Sequence, residues 1–153
     1  MLEINQEAFN FELPNQQGTI RKLSDYKGQV VVLYFYPKDN TPGCTTQACN
    51  YRDTMPEFAK RNVKVFGISK DDGESHRKFE ADFDLNFELL SDEARTAIEA
   101  YGVWGEKNMY GKITMGVLRT TFVIDKDGKV AKVFPKVDPK LDPQQVLEFI
   151  DTL

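Results

Sequence analysis

The chain has 153 residues, 41% of them apolar, and a formal net charge of −4. That length supports one domain spanning residues 1–153 with a real core. The composition excludes several classes. No run approaches the roughly 20 apolar residues of a spanning helix. Met1-Leu2-Glu3-Ile4-Asn5 lacks the basic-then-apolar pattern of a secretory leader, and the acidic balance argues against nucleic acid as a main partner. A cytoplasmic protein is predicted, with no membrane partner. In that reducing setting two cysteines five positions apart favour transient redox chemistry over a permanent bridge.

In chain order, residues 9–13 alternate as a short edge strand, 14–18 form a turn, and 19–23 return as a second strand. Residues 24–28 read as one helical turn ended by glycine. Val30-Val31-Val32-Leu33-Tyr34-Phe35-Tyr36 is the most apolar run, and its lack of alternation predicts a central strand covered on both faces. A helix follows over roughly 41–61, with Cys44, Ala48, Tyr51, Met55 and Phe58 on one face. Pro56 should kink or break it, because it lacks the N–H and crowds the Arg52 carbonyl. Residues 63–69 form a second interior strand, 73–83 a helix and 87–90 a short strand. Another helix is predicted from Ser91 to about Tyr101, and a glycine-punctuated loop over 102–116. Two strands, 120–124 and 130–134, flank the hairpin turn Asp125-Lys126-Asp127-Gly128. In the last helix Asp142 is placed as the cap and Pro143 as the first residue. The order implies an α/β sandwich with a mixed central sheet.

Both cysteines lie at the start of the first long helix. Cys44 reads as a thiolate nucleophile. The free N–H groups and positive dipole end of the first turn point at it, and Gly43 lets the backbone approach closely. The Thr41 hydroxyl is placed to sit beside the sulfur. From the apolar face alone, Cys44 reads equally as a small packed residue; Cys49 and the preceding Thr41 and Pro42 weigh toward reactivity. Residues i and i+5 of an ideal helix have Cα atoms about 8–9 Å apart and point about 140° away from each other, whereas a disulfide requires less than about 7 Å. Cys44 and Cys49 can therefore join only if the first turns unwind. Thr45 and Thr46 have modest helix propensity, so that end should fray readily.

Other chemistries find little support. There is no Cys-x-x-Cys. The single histidine, His76, lies in a charged segment and reads as an exposed surface residue rather than a catalytic base. Two cysteines and one histidine do not make a four-ligand zinc site. Gly102-Val103-Trp104-Gly105 lacks the strand–turn–helix context of a dinucleotide site. Arg119, on the sequence alone, reads as a surface arginine at a strand edge.

The pattern Pro37-x-x-x-Thr41-x-x-Cys44 resembles the active-site motif of peroxiredoxins. The longer stretch Phe35-Tyr36-Pro37-Lys38-Asp39-x-Thr41-Pro42-Gly43-Cys44-Thr45-x-x-Ala48-Cys49, followed by Arg52-Asp53, is similar to the peroxiredoxin Q or bacterioferritin comigratory protein subgroup. Phe66-Gly67-Ile68-Ser69, Leu89-Leu90-Ser91-Asp92, residues 101–107 and residues 119–125 match it in order. Gln47 stands where many members have Glu, a change read here as exposed and without effect on the chemistry.

The resemblance implies a thioredoxin-like fold with an N-terminal β-hairpin addition. It implies a peroxidatic Cys44 and a resolving Cys49, with Arg119 as the active-site arginine and Pro37 covering the sulfur from water. Thr41, Arg119 and the N–H groups of Gly43 and Cys44 would hold the peroxide. Hydrogen peroxide and organic hydroperoxides would be reduced through a Cys44 sulfenic acid. Cys49 would then close an intramolecular disulfide, which thioredoxin or a similar dithiol would reduce. No metal or flavin is implied, and an intramolecular resolver is compatible with a monomer. The alternative is a peroxide-sensing redox switch using the same disulfide; a disulfide oxidoreductase acting on proteins is disfavoured by the cysteine spacing.

Overall fold

A computed structural model describes residues 1–153 along the backbone, and every side chain but that of Met109. A short hairpin, β1 (Glu12–Pro14) and β2 (Ile20–Lys22), and a 3₁₀ turn over Leu23–Tyr26 come first. Then follow β3 (Val30–Phe35), α1 (Pro42–Lys60), β4 (Val63–Ser69), α2 (Gly73–Phe83), β5 (Glu88–Ser91) and α3 (Thr96–Ala100). The chain ends with β6 (Trp104–Met109), β7 (Lys112–Val117), β8 (Thr120–Ile124), β9 (Val130–Phe134) and α4 (Asp142–Ile150). Five strands form the central sheet in the order β5-β4-β3-β8-β9. β4 runs parallel to β3 and β5, whereas β8 is antiparallel to β3 and β9. This is the α/β thioredoxin-like fold with its mixed sheet and added N-terminal hairpin. Among the described residues no helix is long and apolar enough to cross a membrane.

The unbroken apolar run of β3 has the reason predicted for it. Val31, Leu33 and Phe35 point into one core with Phe11, Leu90, Ile98, Tyr101 and Phe122. Val30, Val32, Tyr34 and Tyr36 point into the other, against Cys44, Ala48, Tyr51 and Phe58 of α1 and Val146 of α4. β3 is thus covered on both sides, and the helix bearing Cys44 is pressed onto one of them.

Four local expectations need correction. Pro56 does not interrupt α1, which runs 19 residues from Pro42 to Lys60. Pro56 lies on its exposed side, and the Arg52 carbonyl, the acceptor of the missing i→i−4 bond, accepts from the Asn86 side-chain amide at 3.2 Å. A replacement donor lets the helix continue. The helix foreseen from Ser91 begins only at Thr96. Arg95 takes a left-handed φ of 60°, and the Asp92 carboxylate reaches past it to accept from the Thr96 and Ile98 N–H groups at 2.9 and 2.8 Å.

Residues 102–116 are largely a hairpin, not a loop. β6 and β7 pair from Trp104↔Val117 to Met109↔Lys112, closed by Tyr110 and Gly111 at φ of 56° and 82°. Two positive φ values in a two-residue turn match the twist of a hairpin. The signal is masked because a tyrosine, not Asn or Asp, holds the first left-handed position, and because glycines at 102, 105, 111 and 116 punctuate the segment. The fourth correction concerns Asp142, which does not cap α4: Leu141 occupies the cap position without a side-chain bond, and the carboxylate turns inward.

Gly67 on β4 is required by packing. A Cβ there would lie 2.8 Å from Tyr34 Cζ and 3.0 Å from Leu89 Cδ2. Tyr34 is held against it because its ring stacks on Tyr51 of α1 at a centroid distance of 4.4 Å. Gly67→Ala should therefore lose about 1–3 kcal/mol by overpacking. Urea denaturation checks this; an unchanged midpoint would show that Tyr34 relocates freely.

Candidate active site

β3 delivers the chain to the loop Pro37–Asn40, in which Asn40 turns through a left-handed φ of 61°. Thr41 is extended at the helix cap and Pro42 follows at the start of α1, where its lack of an N–H does no harm. The first i→i−4 bond runs from the Thr45 N–H to the Thr41 carbonyl at 2.8 Å. The Gly43 and Cys44 N–H groups precede it, and no side chain caps them. Cys44 is 2% exposed, and both cysteines are free thiols.

The β3·β8 register pairs Phe35 with Thr120. Arg119, just before β8, therefore lies at the end of the sheet where α1 begins. Its Nη2 donates to Cys44 Sγ at 3.3 Å, and its Nη1 donates to Gln47 Oε1 at 2.6 Å. The surface-arginine reading is thus overturned: the guanidinium bridges the sulfur and the next turn of the helix. A thiolate accepts such charge-assisted bonds better than a thiol does. Gly43 leaves the space for the bridge, since a Cβ on it would stand 3.2 Å from Nη2.

Gln47 corrects another reading. It is not an exposed replacement but is 0% exposed. While its Oε1 accepts from Arg119, its Nε2 donates to Asp142 Oδ2 at 2.9 Å. The same oxygen accepts from the Tyr51 hydroxyl at 2.6 Å and the Thr121 hydroxyl at 3.0 Å. Burial raises the Asp142 carboxyl above its ordinary range, and these three hydrogen bonds oppose that rise. Arg119, Gln47 and Asp142 therefore form a line from the sulfur to α4. Position 47, three residues after Cys44, is on the apolar face; that spacing was the available signal. Asp142 was hidden by a Leu-Asp-Pro sequence that imitates a helix start.

Thr41 differs from expectation in detail. Its hydroxyl donates to the Lys38 carbonyl at 2.8 Å and makes no hydrogen bond to the sulfur among the described residues. With its hydrogen committed, its oxygen keeps only its acceptor capacity. Pro37 is half-buried at the head of the same loop, and Cys49 is half-buried farther along α1. A further cation was not foreseen. Lys107 on β6 is half-buried, and burial, then repulsion from Arg119, lowers its ammonium below the ordinary lysine range, with Cys44 acting in the opposite sense.

His76 is also misplaced by sequence reasoning, being wholly buried. With Asp39 and Asp71 it forms a cluster of metal-ligating residue types within 4.8 Å. Those groups are engaged with one another and with neighbouring donors: His76 Nδ1 lies 2.7 Å from Asp39 Oδ2, and Asp71 Oδ2 accepts from the Asp39 N–H at 2.9 Å.

Against this geometry, residues 4–133 match the model of the AhpC/TSA family. The putative peroxiredoxin bcp of Coxiella burnetii is 48% identical over 136 residues, 89% of this chain and 90% of that protein. Peroxiredoxin Bcp of Bacillus subtilis is 46% identical over 152 residues, 99% and 95% of the two chains. The solved structure of the bacterioferritin comigratory protein of Xanthomonas campestris superposes with a TM-score of 0.90 at 36% identity, covering 99% of this chain and 97% of that one. The chain belongs to the AhpC/TSA family, the peroxiredoxins that reduce peroxides with a thiol. Within it the match is to the Bcp or peroxiredoxin Q group, which makes the protein a thiol peroxidase.

The Gln47–Asp142 pair gives a test specific to this chain. Gln47→Glu would set a second carboxylate against buried Asp142, and one of the two would have to hold a proton. The native state would then bind a proton that the unfolded chain, with carboxyls near 4, releases. A folded carboxyl raised in this way stabilises below the unfolded value and loses that contribution as pH rises through the folded one. Relative to the parent, the variant should lose about 1–3 kcal/mol between pH 5 and pH 8, because each tenfold change in proton affinity is worth about 1.4 kcal/mol. Urea midpoints at the two pH values check it; an equal loss at both would contradict it.

Proposed function

We propose that Cys44 is the peroxidatic residue and Cys49 the resolving one, within a single domain spanning residues 1–153. The observation that carries this reading is the Arg119 guanidinium donating at once to Cys44 Sγ and Gln47 Oε1. The sulfur attacks the terminal oxygen of a hydroperoxide. An S–O bond forms, the O–O bond breaks, and the departing oxygen takes a proton to leave as water or an alcohol. Arg119 and the Gly43 and Cys44 N–H groups stand where the departing oxygen becomes negative, the place where fixed donors lower a barrier most. The Thr41 oxygen accepts from the peroxide O–H, a role favoured by the commitment of its own hydrogen to Lys38. Pro37 shields the sulfur on the loop side.

The product is a sulfenic acid on Cys44. Cys49 attacks that sulfur, the S–O bond breaks with loss of water, and an intramolecular disulfide closes. In the intact helix the two Cα atoms lie about 8–9 Å apart, so the first turns of α1 must unwind beforehand. An external dithiol, thioredoxin or one like it, reduces the disulfide by exchange. Hydrogen peroxide and organic hydroperoxides are both substrates. The Xanthomonas campestris relative is described by its alkyl peroxide reduction activity, which supports the second of these. The enzyme works as a cytoplasmic monomer, because no partner subunit need supply the resolving thiol.

Cys44→Ser should abolish peroxide turnover. Cys49→Ser should still consume one equivalent of peroxide but stall in cycling with thioredoxin. Mass spectrometry of the parent after one equivalent should find Cys44 and Cys49 linked. Retained turnover in Cys44→Ser would refute the assignment, and an oxidised parent with unlinked cysteines would refute the resolving step.

Arg119→Ala should slow oxidation of Cys44 on the order of 100-fold, the scale of losing one preorganised donor. Stopped-flow kinetics with hydrogen peroxide measures it. A rate near that of the parent would leave the guanidinium a structural role only.

A further inference from the structure

His76 is the single histidine of the chain, and it is buried beside the loop that carries Pro37 and Thr41. Both of its ring nitrogens face oxygens. Nδ1 lies 2.7 Å from Asp39 Oδ2, and Nε2 lies 3.1 Å from the Leu90 carbonyl oxygen. A carbonyl only accepts, so Nε2 carries a hydrogen. A second hydrogen must lie between Nδ1 and Oδ2. Asp39 also accepts from the Tyr36 hydroxyl at Oδ1, 2.6 Å away, and from the Ser75 hydroxyl at Oδ2, 2.8 Å away. An ionised carboxylate accepts at both oxygens and donates at neither. An imidazolium on a carboxylate satisfies every one of these contacts.

Two further titratable groups face it. Tyr36, at the end of β3, is a neutral phenol, its ionisation pushed well above the ordinary range by burial and then by Asp39. Asp71, between β4 and α2, accepts from the Asp39 N–H at 2.9 Å and from the Ser69 hydroxyl at 2.7 Å. His76 is the one basic side chain of this cluster. Without its ring proton, a lone pair on Nδ1 would face Asp39 Oδ2 across 2.7 Å with little water to relieve it.

The cluster reaches the site through one peptide unit. The Asp39 N–H, held by Asp71, belongs to the same rigid plane as the Lys38 carbonyl. That carbonyl takes the Thr41 hydroxyl hydrogen at 2.8 Å. The plane is fixed by Asp71 at its nitrogen, and the Asp39 side chain is fixed by His76, Tyr36 and Ser75.

We propose that protonated His76 is a positioning residue for peroxide reduction: clamped on Asp39, it holds the Lys38–Asp39 peptide that orients the Thr41 hydroxyl, and loss of its ring proton frees the loop and slows Cys44 oxidation. This rests on the reading of Cys44 as the peroxidatic thiol. His76 touches neither the sulfur nor the peroxide and acts through Asp39.

The test uses the reduced full-length chain labelled with ¹⁵N-histidine, in which every imidazole signal belongs to His76. At pH 7 both ring nitrogens should carry hydrogens; a neutral ring protonated on Nε2 alone overturns the proposal. The rate of Cys44 oxidation by hydrogen peroxide, followed over the same pH range by competition with a reporter peroxidase, should fall at least about tenfold as Nδ1 loses its proton, the scale of a small misplacement. A rate that passes unchanged through that transition overturns it. If the ring keeps its proton until the chain unfolds, His76→Gln decides at pH 7. A folded variant about tenfold slower supports the proposal, and one within about twofold of the parent overturns it. Cys44→Ser distinguishes the two readings: turnover retained there removes the peroxidatic assignment and leaves the His76 ring state as measured.

Discussion

Arg119 gripping both the Cys44 sulfur and the Gln47 side chain is the contact on which the rest of the site depends. It ties the first two turns of α1 to the start of β8 by two charge-assisted hydrogen bonds of 3.3 and 2.6 Å. Such bonds are directional and individually stronger than neutral ones. The grip exists only while those turns are wound, because winding places residues 44 and 47 on one face. Helix formation and assembly of the sulfur's environment are therefore one event. The unwinding proposed for resolution takes the same site apart.

The surroundings are arranged to make that grip specific. Behind Gln47 stands Asp142, carrying three donors on one oxygen. Before Cys44 stands Asp39, held by Tyr36, Ser75 and His76. Both carboxylates accept from packed tyrosines, Asp142 from Tyr51, which stacks on Tyr34, and Asp39 from Tyr36, a neighbour of Tyr34. Buried polar groups of this kind fix one geometry, because a displaced partner leaves an unsatisfied charge. The helix start is thus braced at both ends by groups that tolerate little movement, although the helix turns themselves have weak intrinsic propensity at Thr45 and Thr46. Stiff supports around a yielding segment suit the cycle proposed for Cys44, held for oxidation and released for resolution.

Local pattern carried most of the fold. β3 was legible from its unbroken apolar run, the β8–β9 hairpin from Asp-Lys-Asp-Gly, and the Cys44 face of α1 from steps of three and four. The β6–β7 hairpin was not, because Tyr110 occupies a left-handed position that sequence assigns to Asn or Gly, and because Gly102, Gly105, Gly111 and Gly116 read as loop punctuation. The placement of Cys44 at the start of α1, after Thr41 and Pro42, was readable because it depends on neighbours in sequence. Gln47, Asp142 and His76 were misread for the opposite reason. Each is polar, and each is buried only because a partner 37 to 95 positions away meets it. Composition gives such residues to the surface, and only tertiary contact moves them inside. Arg119 lay between these cases: the family resemblance assigned it, whereas its own neighbours in sequence did not.

Hydrogen exchange of α1, compared between the reduced chain and the chain oxidised by one equivalent of peroxide, tests the coupling of winding and reactivity most directly. Amides over residues 45–50 should be protected in the reduced chain and lose protection once Cys44 and Cys49 are joined, while residues 52–60 stay protected in both. A linked pair of cysteines with protection through residue 50 intact would contradict the account.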